Sequence, residues 1–314
     1  MSKLRLAFTL AALLAATAPA VAAEKLTVLL DWFVNPDHAT LIVAKEKGFF
    51  AEEGLEVELV APADPNAPPR LVAAGQADLA VTYQPNLHLQ IAEGLPVTRI
   101  GTLVDTPLNA LVALEGKGVS RIADLKGKTV GYSIGGFEDV LLGMMLEKAG
   151  LKPTDVKMVN VNFALTPALM AGQVDAVIGA FRNFELTQIA LASGKGIAFF
   201  PEEHGVPMYD ELILVAHRDK AKDPRLPRFL AALEKATTYL LNHPEEGWAA
   251  FVKAEPKLDD ELNRRAYALT MPRFAKSPAV LDTVRYRRFG EFAKSRGLVK
   301  DVPALETYAI DPRL

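Results

Sequence analysis

The sequence predicts an α/β protein of two similarly built lobes, joined by two chain crossings and completed by C-terminal helices. Three observations carry this expectation. Short apolar runs alternate with helical patterns from residue 26 to residue 216. One segment recurs, since Ala74-Gly75-Gln76-Ala77-Asp78-Leu79-Ala80-Val81 returns as Ala171-Gly172-Gln173-Val174-Asp175-Ala176-Val177-Ile178. Beyond Pro224 the strand signal stops, and amphipathic patterns separated by Pro or Asn-Pro breaks take over.

In chain order, residues 1–23 stand apart. Lys3 and Arg5 precede an apolar stretch from Leu6 to Ala18, and small residues lead from Pro19 into Glu24. This is the layout of a secretory signal peptide cleaved after Ala23. A membrane span would need about 20 apolar residues, more than this stretch holds. The chain has no cysteine, so neither a lipid-modified Cys nor a disulfide is available. The mature protein is therefore expected to be exported, with no direct membrane insertion. A net charge of −3 over 314 residues gives no electrostatic reason for a nucleic-acid partner.

Strands are predicted at 26–30, 55–60, 79–82, 97–103, 110–114, 129–132, 156–161, 176–178 and 212–216, each a short run rich in Leu, Val and Ile. Helical patterns lie between them at 38–47, 66–75, 85–93, 136–149, 164–171 and 183–192. Strand–helix alternation favours largely parallel sheets. Four amphipathic helices follow at 225–242, 244–253, 258–270 and 278–296. In each copy of the repeat, Gly closes a helix and Asp opens a short buried strand. Two copies imply two alike lobes rather than a solenoid. The chain can cross between lobes at 97–110 and at 200–212. Lobe 1 is then 24–107 plus 206–314, lobe 2 is 108–205, and a two-strand hinge lets the cleft close on a ligand.

The stretch DWFVNPDHATLIVAKEKGFFAEEGLEVELV, residues 31–60, resembles the NMT1/THI5-like family of periplasmic binding proteins. So do residues 74–85, Leu125-Lys126-Gly127-Lys128-Thr129-Val130-Gly131-Tyr132, and residues 174–185. The GYSIGGFED stretch, 131–139, is similar to a ThiY-like subgroup that delivers formylaminopyrimidine or hydroxymethylpyrimidine for thiamine salvage. The resemblance implies a type II periplasmic binding protein fold, a periplasmic location, an ABC transporter permease as partner, and a small heterocyclic ligand. It implies no metal and no cofactor. The family also has an enzyme branch, the pyrimidine synthases, which use a lysine, a histidine and a cysteine motif. Here Thr82 and Asn86 stand at the lysine and histidine positions, and Val206-Pro207-Met208-Tyr209-Asp210 replaces the cysteines. Neither a hydroxyl nor an amide forms a Schiff base, so these departures point to a binding protein.

Candidate ligand contacts fall where strands end, because ligands of open α/β sheets bind beyond the carboxyl ends of the strands. Trp32 follows the first strand and could stack on a flat ring; Phe33, by strand alternation, is expected to turn into the core. Asn35 and His38 offer polar groups at the next helix start, with Asp37 a candidate cap. Tyr83 ends the matching strand. Ser133, Gly135 and Gly136 form a turn before a helix whose free N–H groups suit an acceptor or an anion. Phe181 is a second wall, with Asn183 and Glu185 after it. A carboxylate at Glu185 can pair with the amino group and protonated ring nitrogen of a 4-aminopyrimidine, and the resemblance supports that role. Other ligands, such as riboflavin or a sulfonate, remain alternatives. The basic stretch 285–288 is expected to be a solvated face packed through Tyr286 and Phe289.

Overall fold

The computed structural model describes residues 22–314, so the signal-peptide reading lies almost wholly outside the described residues. The chain runs through β1 (Glu24–Leu29), α1 (Ala39–Glu46), α2 (Phe49–Glu52), β2 (Leu55–Val60), α3 (Pro68–Ala73), β3 (Leu79–Thr82), α4 (Gln84–Ala92) and β4 (Val97–Val104). It crosses to β5 (Asn109–Leu114), β6 (Thr129–Tyr132), α5 (Glu138–Lys148), β7 (Lys157–Asn160), α6 (Leu165–Met170), β8 (Ala176–Phe181), α7 (Glu185–Leu191) and β9 (Gly196–Phe199). It returns as β10 (Leu212–His217) and ends in α8 (Arg225–Asn242), α9 (Pro244–Ala254), α10 (Glu261–Thr270) and α11 (Thr283–Ser295).

Two five-stranded sheets result, ordered β2-β1-β3-β10-β4 and β7-β6-β8-β5-β9. Each has a parallel core, β2-β1-β3 in one and β7-β6-β8 in the other. In each, a strand arriving from the other sheet inserts antiparallel before the edge strand: β10 between β3 and β4, β5 between β8 and β9. This exchange is the type II periplasmic binding protein topology. The two crossings form the hinge, and the strand ends of both sheets meet at the cleft between them.

The repeated segment has a physical cause. Gly75 (φ +71°) and Gly172 (φ +69°) take the left-handed conformation that ends α3 and α6. Asp78 then accepts the N–H of Thr27 at 2.9 Å, and Asp175 accepts that of Thr129 at 2.8 Å. Each Asp thus clamps the middle strand of its sheet's parallel core, and its own N–H returns the bond to the same residue's carbonyl. Asp78 also pairs with Arg225 of α8 at 2.9 Å. We expect Asp78→Ala and Asp175→Ala each to cost about 1–3 kcal/mol, with Asp78→Ala the larger because its Arg225 pair at 2.9 Å is tighter than the 3.5 Å pair of Asp175 with Lys128. Urea denaturation of the two variants measures this; equal effects would remove the Arg225 contribution.

Two short elements escape sequence reading. The helix α2 is a single turn, Phe-Phe-Ala-Glu, bracketed by left-handed Gly48 and Gly54. One turn cannot display a 3.6-residue period. Strand β9 is an edge strand of one exposed glycine and three half-buried residues, with too little apolar contrast to stand out. In the C-terminal region α8 and α9 lie against α1, and Phe229 of α8 stacks on Phe50 of α2 with centroids 5.0 Å apart. Tyr286 and Phe289 of α11 are buried, as expected, and Arg285 pairs with Asp210. Arg99 of β4 is fully buried and ties the tail to the first sheet. Its guanidinium donates to the carbonyls of Ala279, Ile310, Pro278 and Val280 and to the Thr102 hydroxyl.

Candidate functional site

Between the sheets lies a narrow cleft, lined by Asp31, Trp32, Asn35, Asp37, Tyr83, Glu138, Gly179, Phe181, Phe184 and Glu185. Every lining residue sits at or beyond the carboxyl end of a strand except Gly179, which lies within β8. After β1 the backbone bends through residues 31–34, which carries Trp32 across to the other lobe. There it packs with Ala110, Val112 and Leu165 and meets Phe163 edge-on at 4.6 Å. Because the strand has ended, alternation does not extend to Phe33. That residue is 40 % exposed, against Trp32 and Phe184, rather than in the core as the sequence predicted.

The two lobes touch at several points. Tyr83 stacks on Phe137 with centroids 5.0 Å apart and planes 18° off parallel. Asn183 donates to Asp37 at 2.5 Å and to Thr270 at 2.7 Å. Asn66 donates to the Ser133 carbonyl at 3.3 Å and accepts the Gly135 N–H at 3.1 Å. At the hinge, Glu211 accepts the N–H groups of Leu108 (2.5 Å) and Asn109 (2.9 Å), so one crossing grips the other. From the far side Arg182 donates to the carbonyls of the same two residues and pairs with Glu202 at 2.8 Å.

The cleft is acidic. Four of its lining residues are Asp or Glu, and none is Lys, Arg or His. Burial raises Glu185 to about 8, even though Oε2 accepts the Phe181 N–H at 2.7 Å. Burial likewise raises Glu138 to about 8 and Asp37 to about 6. Burial thus favours the protonated form of both Glu138 and Glu185. The sequence predicted a carboxylate at Glu185 meeting a protonated ring; burial favours the proton on the acid before a ligand enters. One shared proton serves either arrangement. Two further polar atoms are buried without a partner in the protein, the Trp32 indole N–H and Asp37 Oδ2.

Of the residues the sequence singled out, Trp32, Asn35, Tyr83, Phe181 and Glu185 line this one cleft. Asn35 is the cap of the following 3-10 turn, accepting the Asp37 N–H at 2.8 Å, so the capping role considered for Asp37 belongs to Asn35. Tyr83 spends its hydroxyl on Asp31 at 2.7 Å and presents its ring. His38 is not on the cleft. It is fully buried behind the wall, its Nε2 2.9 Å from Asp31 and its Nδ1 accepting the Asn35 N–H at 3.3 Å. It closes the 3-10 turn Pro36–His38, and its contacts with Asp31 and the Asn35 N–H hold the ring inward. Ser133, Gly135, Gly136 and Asn183 also lie off the lining, the first two and Asn183 held in lobe-to-lobe bonds.

Asp31, Asp37, Glu138, Gly179 and Phe184 are the lining residues the sequence reading did not name as ligand contacts. Glu138 had a signal. It is the first residue of α5, as Glu185 is of α7, and both helices follow strands that end at the cleft.

A model of the family described as NMT1/THI5 like matches residues 35–247. The chain belongs to the NMT1/THI5-like family. It is 54 % identical, over 94 % of both chains, to a provisionally assigned thiamine biosynthesis protein of Haemophilus influenzae. It is 36 % identical to the formylaminopyrimidine-binding protein of Halalkalibacterium halodurans, over 72 % of this chain and 69 % of that one. It is 28 % identical, over 88 % of both chains, to a 4-amino-5-hydroxymethyl-2-methylpyrimidine phosphate synthase of Legionella pneumophila. Among solved structures, the alkanesulfonate-binding protein SsuA of Xanthomonas axonopodis pv. citri, bound to MOPS, superposes with a TM-score of 0.72. That match covers 92 % of this family member and 99 % of SsuA at 16 % identity, and so speaks for the fold.

Proposed function

We propose that this NMT1/THI5-like protein is the exported substrate-binding component of an ABC importer, and that its cleft takes a 4-aminopyrimidine precursor of thiamine. The observation that carries this reading is the joint presence of Trp32 and Glu185 on one narrow cleft without a cation. A flat base needs an aromatic face and, at its amino edge, a group that can both donate and accept. A protonated Glu185 donates to the ring nitrogen and accepts from the amine. The formylaminopyrimidine-binding relative supports the same ligand class, and the fold supports hinge closure over it. The permease partner and the periplasmic location rest on the residues 1–23 pattern and on the binding-protein fold. Among the described residues no helix is long and apolar enough to cross a membrane.

A sulfonate would meet Asp31, Asp37, Glu138 and Glu185 with no counter-charge on the lining. The synthase alternative lacks its nucleophile: Thr82 and Asn86 stand at the lysine and histidine positions, both are buried, and neither lines the cleft. The experiment is a thermal-shift and calorimetry panel of hydroxymethylpyrimidine, its formylamino counterpart, riboflavin and an alkanesulfonate. We expect the pyrimidines to bind at micromolar Kd or tighter, about −8 kcal/mol, and the sulfonate not at all. Binding of riboflavin or the sulfonate in preference to both pyrimidines would overturn the reading.

A further inference from the structure

The turn between β6 and α5 is where the sequence predicts an anion or acceptor, because N–H groups at a helix start attract one. In the folded chain three of the turn's N–H groups, those of Ser133, Ile134 and Gly135, are already taken. The Glu138 carboxyl folds back over its own helix start, and its Oε2 accepts the N–H of Ser133 at 2.7 Å and of Ile134 at 3.2 Å. The next N–H, that of Gly135, is taken by Asn66 Oδ1 at 3.1 Å. The Ser133 hydroxyl is turned away as well, donating to the Asn162 carbonyl.

The arrangement is built rather than incidental. Glu138 is buried and lines the cleft. Its carboxyl occupies the space beside Gly179, where a Cβ would collide with all three of its terminal atoms. Gly179 has φ +98°, a conformation that disfavours any side chain there, and its N–H is fixed by Asn109 Oδ1 at 3.2 Å. The strand beside it shifts register at Ala110/Leu111, opposite this glycine. A kink in β8 thus makes the room that the carboxyl fills.

We propose that Glu138 is a specificity-determining residue, an internal carboxyl that fills the anion cradle of the cleft and so restricts it to unphosphorylated ligands. The inference rests on the cleft being the pyrimidine site and adds what that site refuses. A phosphate monoester entering here would find these three donors occupied and four acids on the lining, with no cation among the lining residues. Burial favours the protonated form of Glu138, and a protonated carboxyl still accepts both N–H groups. Occupancy of the donors, more than charge, is what excludes the phosphate.

The test is calorimetry of the intact mature protein with hydroxymethylpyrimidine and with its phosphate monoester. Wild type is expected to favour the unphosphorylated base by at least 100-fold. Glu138→Ala, which vacates both N–H groups, is expected to gain tenfold or more in affinity for the monoester. Glu138→Gln removes the ionisable group but keeps an oxygen for the cradle, and is expected to gain little. Equal binding of base and monoester by wild type overturns the proposal without any variant. So does a folded Glu138→Ala that still binds the base but gains nothing for the monoester, or a Glu138→Gln that gains as much as Glu138→Ala. A wild type that binds neither compound instead sinks the pyrimidine reading, and this inference with it.

Discussion

Glu185→Ala is expected to weaken binding of a 4-aminopyrimidine by roughly 10- to 150-fold, the equivalent of one charge-assisted contact of about 1.5–3 kcal/mol. The fold should survive, because the side chain contributes one hydrogen bond, to the Phe181 N–H, and projects into the cleft rather than the core. The pH dependence is the sharper part of the expectation. Burial raises Glu185 to about 8, and the contact with the base needs one proton, on the acid or on the ring. From neutral pH up to about 8 the acid supplies that proton, so affinity should be flat. Above about 8 the ligand-free carboxyl ionises and the proton must be recruited from solvent. Affinity should then fall, approaching tenfold per pH unit. Glu185→Gln cannot ionise, so its weaker affinity should fall less than that of wild type between pH 7 and pH 9, any remaining fall belonging to Glu138, which titrates in the same range. Calorimetry at both pH values decides it. A wild type as tight at pH 9 as at pH 7 would remove the shared proton from the account.

Arg99→Ala is expected to be the most destabilising single change outside the cleft. The side chain is fully buried and its guanidinium serves acceptors from residues 278–280, Ile310 and Thr102. Truncation leaves buried carbonyls without donors, each costing on the order of 1 kcal/mol or more, and opens a void. A loss of about 3–5 kcal/mol follows, comparable to breaking a buried charge network. Arg99→Lys should recover only a minor part, since one ammonium cannot span a fan of carbonyls that suits a planar fork. Guanidinium unfolding of both variants measures it. A loss under about 1 kcal/mol for Arg99→Ala would mean that water replaces the side chain at no cost.

The architecture was legible because it is written in long patterns. The Ala-Gly-Gln-x-Asp repeat identified two alike sheets, and its aspartates clamp Thr27 and Thr129 in the same way. The strand ends were legible too, which is how Trp32, Tyr83, Phe181 and Glu185 came to be singled out. The chemistry of the turns was less so. His38 and Asn35 sit three residues apart at one helix start, yet one turns behind the wall and the other onto it. That choice depends on Asp31 and on a bend that periodicity does not describe. Glu138 and Asp37 look like ordinary first-turn acids favoured by the helix dipole. Only the packing of the second lobe shows one filling a cradle and the other bonded to Asn183 across the cleft. The same packing makes Gly179 necessary, although in sequence it is one small residue within a short apolar run.

The most direct measurement is a crystal structure of the mature protein grown with hydroxymethylpyrimidine. The account predicts the ring seated in the cleft against Trp32, with its amino group and adjacent nitrogen each about 3 Å from the Glu185 carboxyl. Glu138 should still hold the Ser133 and Ile134 N–H groups. A pyrimidine bound elsewhere, or bound in the cleft with its amino edge turned away from Glu185, would contradict it.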